Sequence, residues 1–339
     1  MMRMFEALPS YLGGKRKLVG ALFKHLPPAR EAPVFADAFL GGGSVSLFAK
    51  ARGYAVRCND IALRSVLIGQ SLIANDHTRL SDADLATLFT APDTDGFIAG
   101  RFAPDIVTER HAAFLDGAMA VARSTPGTKG AMLQLLLVRY LLAQRPMGNF
   151  GAKTIVHQLA EGDFDAIAPH YLRPTVEQTV CAHPWTLVKQ LAARIHSGVF
   201  ANGHAHEVHH GDALDFVRQV QADVLYLDSP YGGTTSYEVA LRPLDELLAG
   251  HALTPEPSRF SKADSLAFLE ELFAAAAHVP ILAVSYGGPA LDLDTLAQAL
   301  GRHRRHVTAE ALRYAHLAGL AHAENRERNL ELILIGRHA

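Results

Sequence analysis

From Val34 to about Ala74, and again from Glu207 onward, short apolar runs of strand length alternate with stretches of helical spacing. Such alternation builds a parallel sheet, because parallel strands need long crossover connections and the crossover helices then bury both faces. Between the two blocks the alternation stops, and the chain reads as mostly helical with polar loops. The expected fold is therefore a doubly wound, mostly parallel α/β sheet formed by residues 1–75 and 206–339. Residues 76–205 would form an inserted, mostly helical domain. With 339 residues, 49% of them hydrophobic, the chain is long enough to bury two cores.

Open sheets of this kind bind ligands beyond the carboxyl ends of their strands. Val34-Phe35-Ala36-Asp37 reads as one strand, followed by Ala38-Phe39-Leu40-Gly41-Gly42-Gly43-Ser44 and a helix through Leu47, Phe48 and Ala49. Glycines at such a turn let the backbone approach a ligand, and the helix start offers unpaired N–H groups. The next strand, Ala55-Val56-Arg57-Cys58, ends at Asn59-Asp60. An acid at the second strand tip, roughly 20 residues after the glycine turn, is placed to grip ribose hydroxyls. A nucleoside cofactor follows, and two compete. A dinucleotide fingerprint finds two glycines in Gly41 to Ser46 but meets serine at its third. S-adenosylmethionine has no pyrophosphate to cradle and needs only a glycine-rich turn after an acid-tipped strand, which Asp37 to Gly43 supplies.

A further strand, Val224-Leu225-Tyr226-Leu227, ends in Asp228-Ser229-Pro230-Tyr231. A carboxylate and an aromatic ring delivered into the crevice suit a flat polar ligand such as a nucleobase. The plain reading is a buried strand followed by an X-Pro turn.

Taken together, these segments resemble the Dam-type DNA adenine N6-methyltransferases. Tyr11-Leu12-Gly13-Gly14-Lys15 resembles the N-terminal motif of that family, Phe35 to Val45 its glycine motif and Asn59-Asp60-Ile61 its nucleoside-holding acid. Asp228 to Tyr231 resembles its D-P-P-Y signature, and Arg326, Arg328 and the strand Leu330 to Ile335 its basic loop and closing strand. Two departures stand out: Ser229 where the family usually has proline, and Ala38 where it often does. The resemblance implies a methyltransferase-type sheet with an inserted target-recognition domain. It also implies S-adenosylmethionine as the cofactor, held by Tyr11, Lys15, Asp37, Phe39, Gly41, Gly43, Ser44, Asp60, Asp212 and Asp228. Asp228, Ser229, Pro230 and Tyr231 would be catalytic, acting on N6 of a flipped-out adenine. Cytosine N4 is the nearest alternative, since that amine needs the same two acceptors, and a catalytically inactive DNA-binding relative is another.

Double-stranded DNA is the implied partner, with a cognate restriction endonuclease that acts separately. A net charge of −2 gives no global basic field, so DNA contacts must be local. Candidate patches are Lys15 to Lys17, Arg139 with Arg145, and Arg302 to His306 with Arg313, Arg326 and Arg328. After the apolar run Met132 to Leu142, read as a buried helix, comes Gln144-Arg145-Pro146-Met147-Gly148-Asn149-Phe150. This segment is either an ordinary turn or a base-reading loop, with Arg145 suited to guanine, Asn149 to adenine and Phe150 to a vacated stack. Cys58 and Cys181 are too few for a disulfide framework or a thiol metal motif. His204, His206, His209 and His210 lack a carboxylate or cysteine at ligand spacing, so no metal is expected. No apolar run reaches the roughly 18 residues of a membrane span. The two cysteines point to a reducing cytosol, and the resemblance implies a prokaryotic or phage-encoded protein acting in the cytoplasm.

Overall fold

A computed structural model describes residues 2–9, 14–91, 96–145, 150, 173–231, 237–254, 265–288, 290–313 and 330–338. It divides into two compact units. One contains residues 11–69, 202–239 and 256–339, and the other residues 1–10, 70–201 and 240–255. The helical unit thus takes in the first ten residues and the segment 240–255 along with the insert.

Among the described residues the first unit carries one seven-stranded sheet. Its strands are β1 (Val34–Asp37), β2 (Ala55–Asp60), β3 (Glu207–His210), β4 (Val224–Leu227), β5 (Ile281–Tyr286), β6 (His306–Arg313) and β7 (Leu330–Arg337). Their order across the sheet is β3-β2-β1-β4-β5-β7-β6. The first five pair in parallel, and β7 runs antiparallel between β5 and β6. The mostly parallel sheet and the closing strand at Leu330 to Ile335 are those expected from the sequence.

The central strands are apolar on both faces because both are covered. On one face Phe35 packs with Phe23, Tyr54 and Tyr226, and Phe48 meets Phe23 edge-on. On the other, Ala36, Leu225, Leu227, Leu282, Val284 and Leu334 meet three helices through Phe216, Leu269, Leu272, Phe273 and Leu296. The outermost strands β3 and β6 are largely exposed. Glu310 and Arg313 on β6 supply the charge that discourages pairing with another chain.

Strand order places the ligand crevice. From β1 the chain winds outward through β2 and β3, then returns to β4 on the other side of β1. That reversal is a topological switch point, and open α/β sheets bind ligands beyond the strand ends there. Asp37 closes β1 opposite Tyr226 of β4, so Asp37 and Asp228 leave the sheet side by side.

The helical unit is built on two long helices, Glu109–Ser124 and Gly127–Ala143. The second contains the apolar run read from the sequence, and most of its residues are buried. Polar side chains tie segments of this unit together: the buried His111 places Nε2 2.8 Å from the Val180 carbonyl, and Arg123 donates to the carbonyls of Leu247 and Leu248.

Candidate active site

The glycine turn is shaped by two left-handed residues, Gly41 at φ 50° and Gly43 at φ 74°, and Gly43 starts the helix Ser44–Ala51. Residues with a Cβ rarely adopt that backbone. Asp60 ties the turn to β2: one carboxylate oxygen accepts from the Gly41 N–H and the other from the Ala62 N–H, both at 2.8 Å. Asp37 accepts from the Ser46 hydroxyl at 2.7 Å and from the Phe39 N–H at 3.2 Å. Ser44 opens the helix and is buried, while Phe39 is half-buried against the core.

Beyond β4 the chain delivers Asp228 into a charged cluster. The Lys15 ammonium lies 3.0 Å from Asp228 Oδ1 and 3.0 Å from Glu331 Oε1. The Tyr231 hydroxyl donates to Asp228 Oδ1 at 3.3 Å and to Glu331 Oε1 at 3.2 Å, and Lys15 also contacts that hydroxyl. Lys15 and Glu331 are nearly inaccessible, at 4% and 0%, whereas the Asp228 side chain keeps 17% exposure. Both donors converge on Oδ1. Among the described residues Asp228 Oδ2 receives no hydrogen bond.

The electrostatics follow from one ammonium shared between two carboxylates. Burial alone would depress Lys15, but Asp228 and Glu331 together hold it above its ordinary value. Burial raises the Asp228 carboxyl, and Lys15 cannot fully offset that because Glu331 adds a second negative charge. Asp37 is pushed up to about 7, chiefly by burial, with Asp228 and Asp60 contributing. Asp60 is also raised by burial, against its two backbone hydrogen bonds.

Several expected site residues have more specific surroundings than the sequence suggested. Tyr231 is buried, its ring centroid 5.0 Å from that of Tyr286, so its face is not open for stacking in this conformation. Ser229 is 2% exposed, and its hydroxyl has no hydrogen-bond partner among the described residues. Asp212 caps the helix Ala213–Gln219 through the Leu214 and Asp215 N–H groups. Arg145 is buried at 3%, with its guanidinium 5.4 Å from the Phe150 ring centroid. Arg139 is buried and donates to the Ala7 carbonyl. Neither arginine presents its charge to a DNA backbone in this conformation. The run Arg302 to His306 sits at the wrong end of the sheet for the crevice, since His306 and Arg337 align with the starts of β5 and β4. Within it Arg304 is spent on the carbonyls of Ala276 and Val279. Tyr11, Asn149, Arg326 and Arg328 lie outside the described residues.

Glu331 escaped the sequence reading. Its signal was a lone carboxylate inside the otherwise apolar Leu330 to Ile335, on a strand too buried to leave a charge without a partner.

Residues 11–112 match the family model of the D12 class N6 adenine-specific DNA methyltransferases. The first third of the chain is thus similar to this class. Over 331 residues, 96% of both chains, the chain is also 26% identical to the Type II methyltransferase M2.HphI of Haemophilus parahaemolyticus. It is thus an enzyme that methylates adenine at N6 in DNA, which removes cytosine N4 as the leading alternative. The matched segment holds Lys15, the glycine turn and Asp60, while Asp228 to Tyr231 lie beyond it.

Proposed function

We propose that the crevice beyond β1 and β4 holds S-adenosylmethionine and an adenine turned out of double-stranded DNA, with Asp228 as the acceptor that activates the amine. The observation that carries this reading is the Asp228 carboxylate, with Oδ1 pinned by Lys15 and Tyr231 and Oδ2, at a partly exposed position, receiving no hydrogen bond from the described residues.

The cofactor's seat would be Asp37, Phe39, Gly41, Gly43, Ser44 and Asp60. Charge supports the sulfonium cofactor over a dinucleotide: Asp60 and Asp228 line this part of the sheet, and their carboxylates would repel a pyrophosphate. Ile61, beside the ribose-facing acid, is 66% exposed and offers an apolar surface to an adenine ring. When bound, S-adenosylmethionine supplies an electrophilic methyl group.

The adenine amine is a poor nucleophile because its lone pair is delocalised into the ring. Asp228 Oδ2 accepts one amine hydrogen and the Ser229 carbonyl the other, which draws the nitrogen toward tetrahedral geometry and localises the lone pair. These acceptors contribute by orientation and by stabilising the positive charge that develops on nitrogen. Asp228 would also accept the proton that the methylated amine sheds. Pro230 fixes the turn, and Tyr231 supports Asp228 from below; stacking on the base would require its ring to move.

In this reading the helical unit, with Asn149 and Phe150, recognises the target sequence, Arg145 supports the Phe150 ring from a buried position, and Arg326 and Arg328 contact the DNA backbone. The Type II label of the relative supports a cognate restriction endonuclease acting separately. No helix among the described residues is long and apolar enough to cross a membrane. We place the enzyme in the cytoplasm with its DNA.

Titration calorimetry of the full chain with S-adenosylmethionine and with NAD tests the cofactor assignment. S-adenosylmethionine should bind and NAD should not; tighter binding of NAD would overturn it.

A further inference from the structure

We propose that Glu331 is a positioning residue for methyl transfer, acting on Asp228 through Lys15 and Tyr231. The inference rests on the reading of Asp228 as the amine acceptor. Glu331 lies on β7, away from Asp228 in sequence, yet it receives the same two donors: Lys15 at 3.0 Å and Tyr231 at 3.2 Å. The ammonium and the phenol therefore each bridge two carboxylates. With both donors anchored on Glu331, Asp228 Oδ1 is fixed from one side and the rotation of its carboxylate is set. Oδ2 is thereby aimed where no donor among the described residues reaches it.

Charge gives Glu331 a second task. A buried Lys15–Asp228 pair alone would be neutral, and the ammonium would drain the acceptor strength of the carboxylate that must polarise the amine. Glu331, fully buried, makes the cluster net negative. A net negative cluster stabilises positive charge developing on the amine nitrogen, and in a site with little water that effect is large. The groups facing Asp228 are Lys15, Glu331, Tyr231, Tyr226, Tyr237 and Asp37. Of these only Lys15 is cationic, so Glu331 and Lys15 push the Asp228 carboxyl in opposite directions.

The test is the single-turnover methyl-transfer rate of the full-length enzyme, followed against pH, for the wild type, Glu331→Gln and Lys15→Met. Glu331→Gln keeps shape and one acceptor but loses the charge. It should slow methyl transfer by about tenfold or more, leave S-adenosylmethionine and DNA affinity within a few fold, and shift the acid limb to lower pH. Lys15→Met should shift the acid limb to higher pH. Glu331→Asp, which keeps the charge, should keep the limb near its wild-type position even where the rate falls. A purely structural role would lower the melting temperature and the rate without moving the limb. An unmoved limb in Glu331→Gln, a shift to higher pH, or a wild-type rate would each overturn the proposal. If Glu331→Gln does not fold, the Lys15→Met limb decides, and a shift to lower pH there overturns it. Asp228→Ala separates the two readings. An active Asp228→Ala enzyme removes the acceptor role itself, whereas an inactive one beside an unaffected Glu331→Gln removes only the role of Glu331.

Discussion

Ser229 is the residue at which this chain departs most visibly from the D-P-P-Y pattern it resembles. Its hydroxyl is buried and has no partner among the described residues, so it carries a desolvation cost without a compensating bond. Ser229→Ala should therefore raise stability by about 1 kcal/mol, read from urea midpoints, and leave turnover within about threefold. Ser229→Pro should keep activity within about tenfold if only the backbone carbonyl meets the amine. A loss beyond about a hundredfold in both variants would give the hydroxyl a role in the reaction. Asp37 yields a pH prediction. Its folded value of about 7 exceeds the ordinary 3.8, because burial favours the neutral form. The folded state thus binds this proton more tightly than the unfolded state. The stability it contributes is fully present below 3.8 and is lost as pH rises through about 7. Thermal melts of the protein without cofactor should therefore fall less steeply for Asp37→Asn than for the wild type between about pH 5 and about pH 8. Identical slopes would contradict the burial argument.

At the scale of elements, what the sequence disclosed depended on how local the cause was. β1, β2 and β4 were legible because strand-length apolar runs ended in an acid, and the Gly41 to Gly43 turn because few other residues tolerate its backbone. Gly43→Ala should cost about 1 kcal/mol or more of stability, since it forces a Cβ into left-handed backbone at the start of the helix Ser44–Ala51. Calorimetric unfolding checks this, and a neutral effect would mean that the turn relaxes at no cost. The partnerships of charged residues were not local and could not be read. Lys15 and Glu331 are separated by nearly the whole chain and meet only because β7 inserts between β5 and β6. Arg145 looked like a base-reading side chain because its neighbours are polar, but its burial is set by the packing of the helical unit. The same holds for Arg304, whose carbonyl partners come from the end of another helix and the turn after it.

For the whole molecule, the winding order of the sheet brings the chemistry together. Reversal between β1 and β4 sets the glycine turn beside Asp228, so the proposed cofactor and adenine would share one crevice. The mostly parallel sheet could be read from the alternation of strands and helices. The assignment of the first ten residues and of 240–255 to the helical unit could not, because it depends on packing between segments far apart in sequence. A net charge of −2 leaves no field to hold DNA at a distance, so binding must come from local contacts and weaken with salt in proportion to the few phosphates neutralised. The most direct test of the account is to map modified bases in the DNA of cells expressing either the wild type or Asp228→Ala. The wild type should leave N6-methyladenine within one short recurring sequence, and Asp228→Ala should leave none while still binding S-adenosylmethionine in calorimetry within a few fold of the wild type. Methylation on cytosine N4, or undiminished N6-methyladenine in the Asp228→Ala cells, would contradict it.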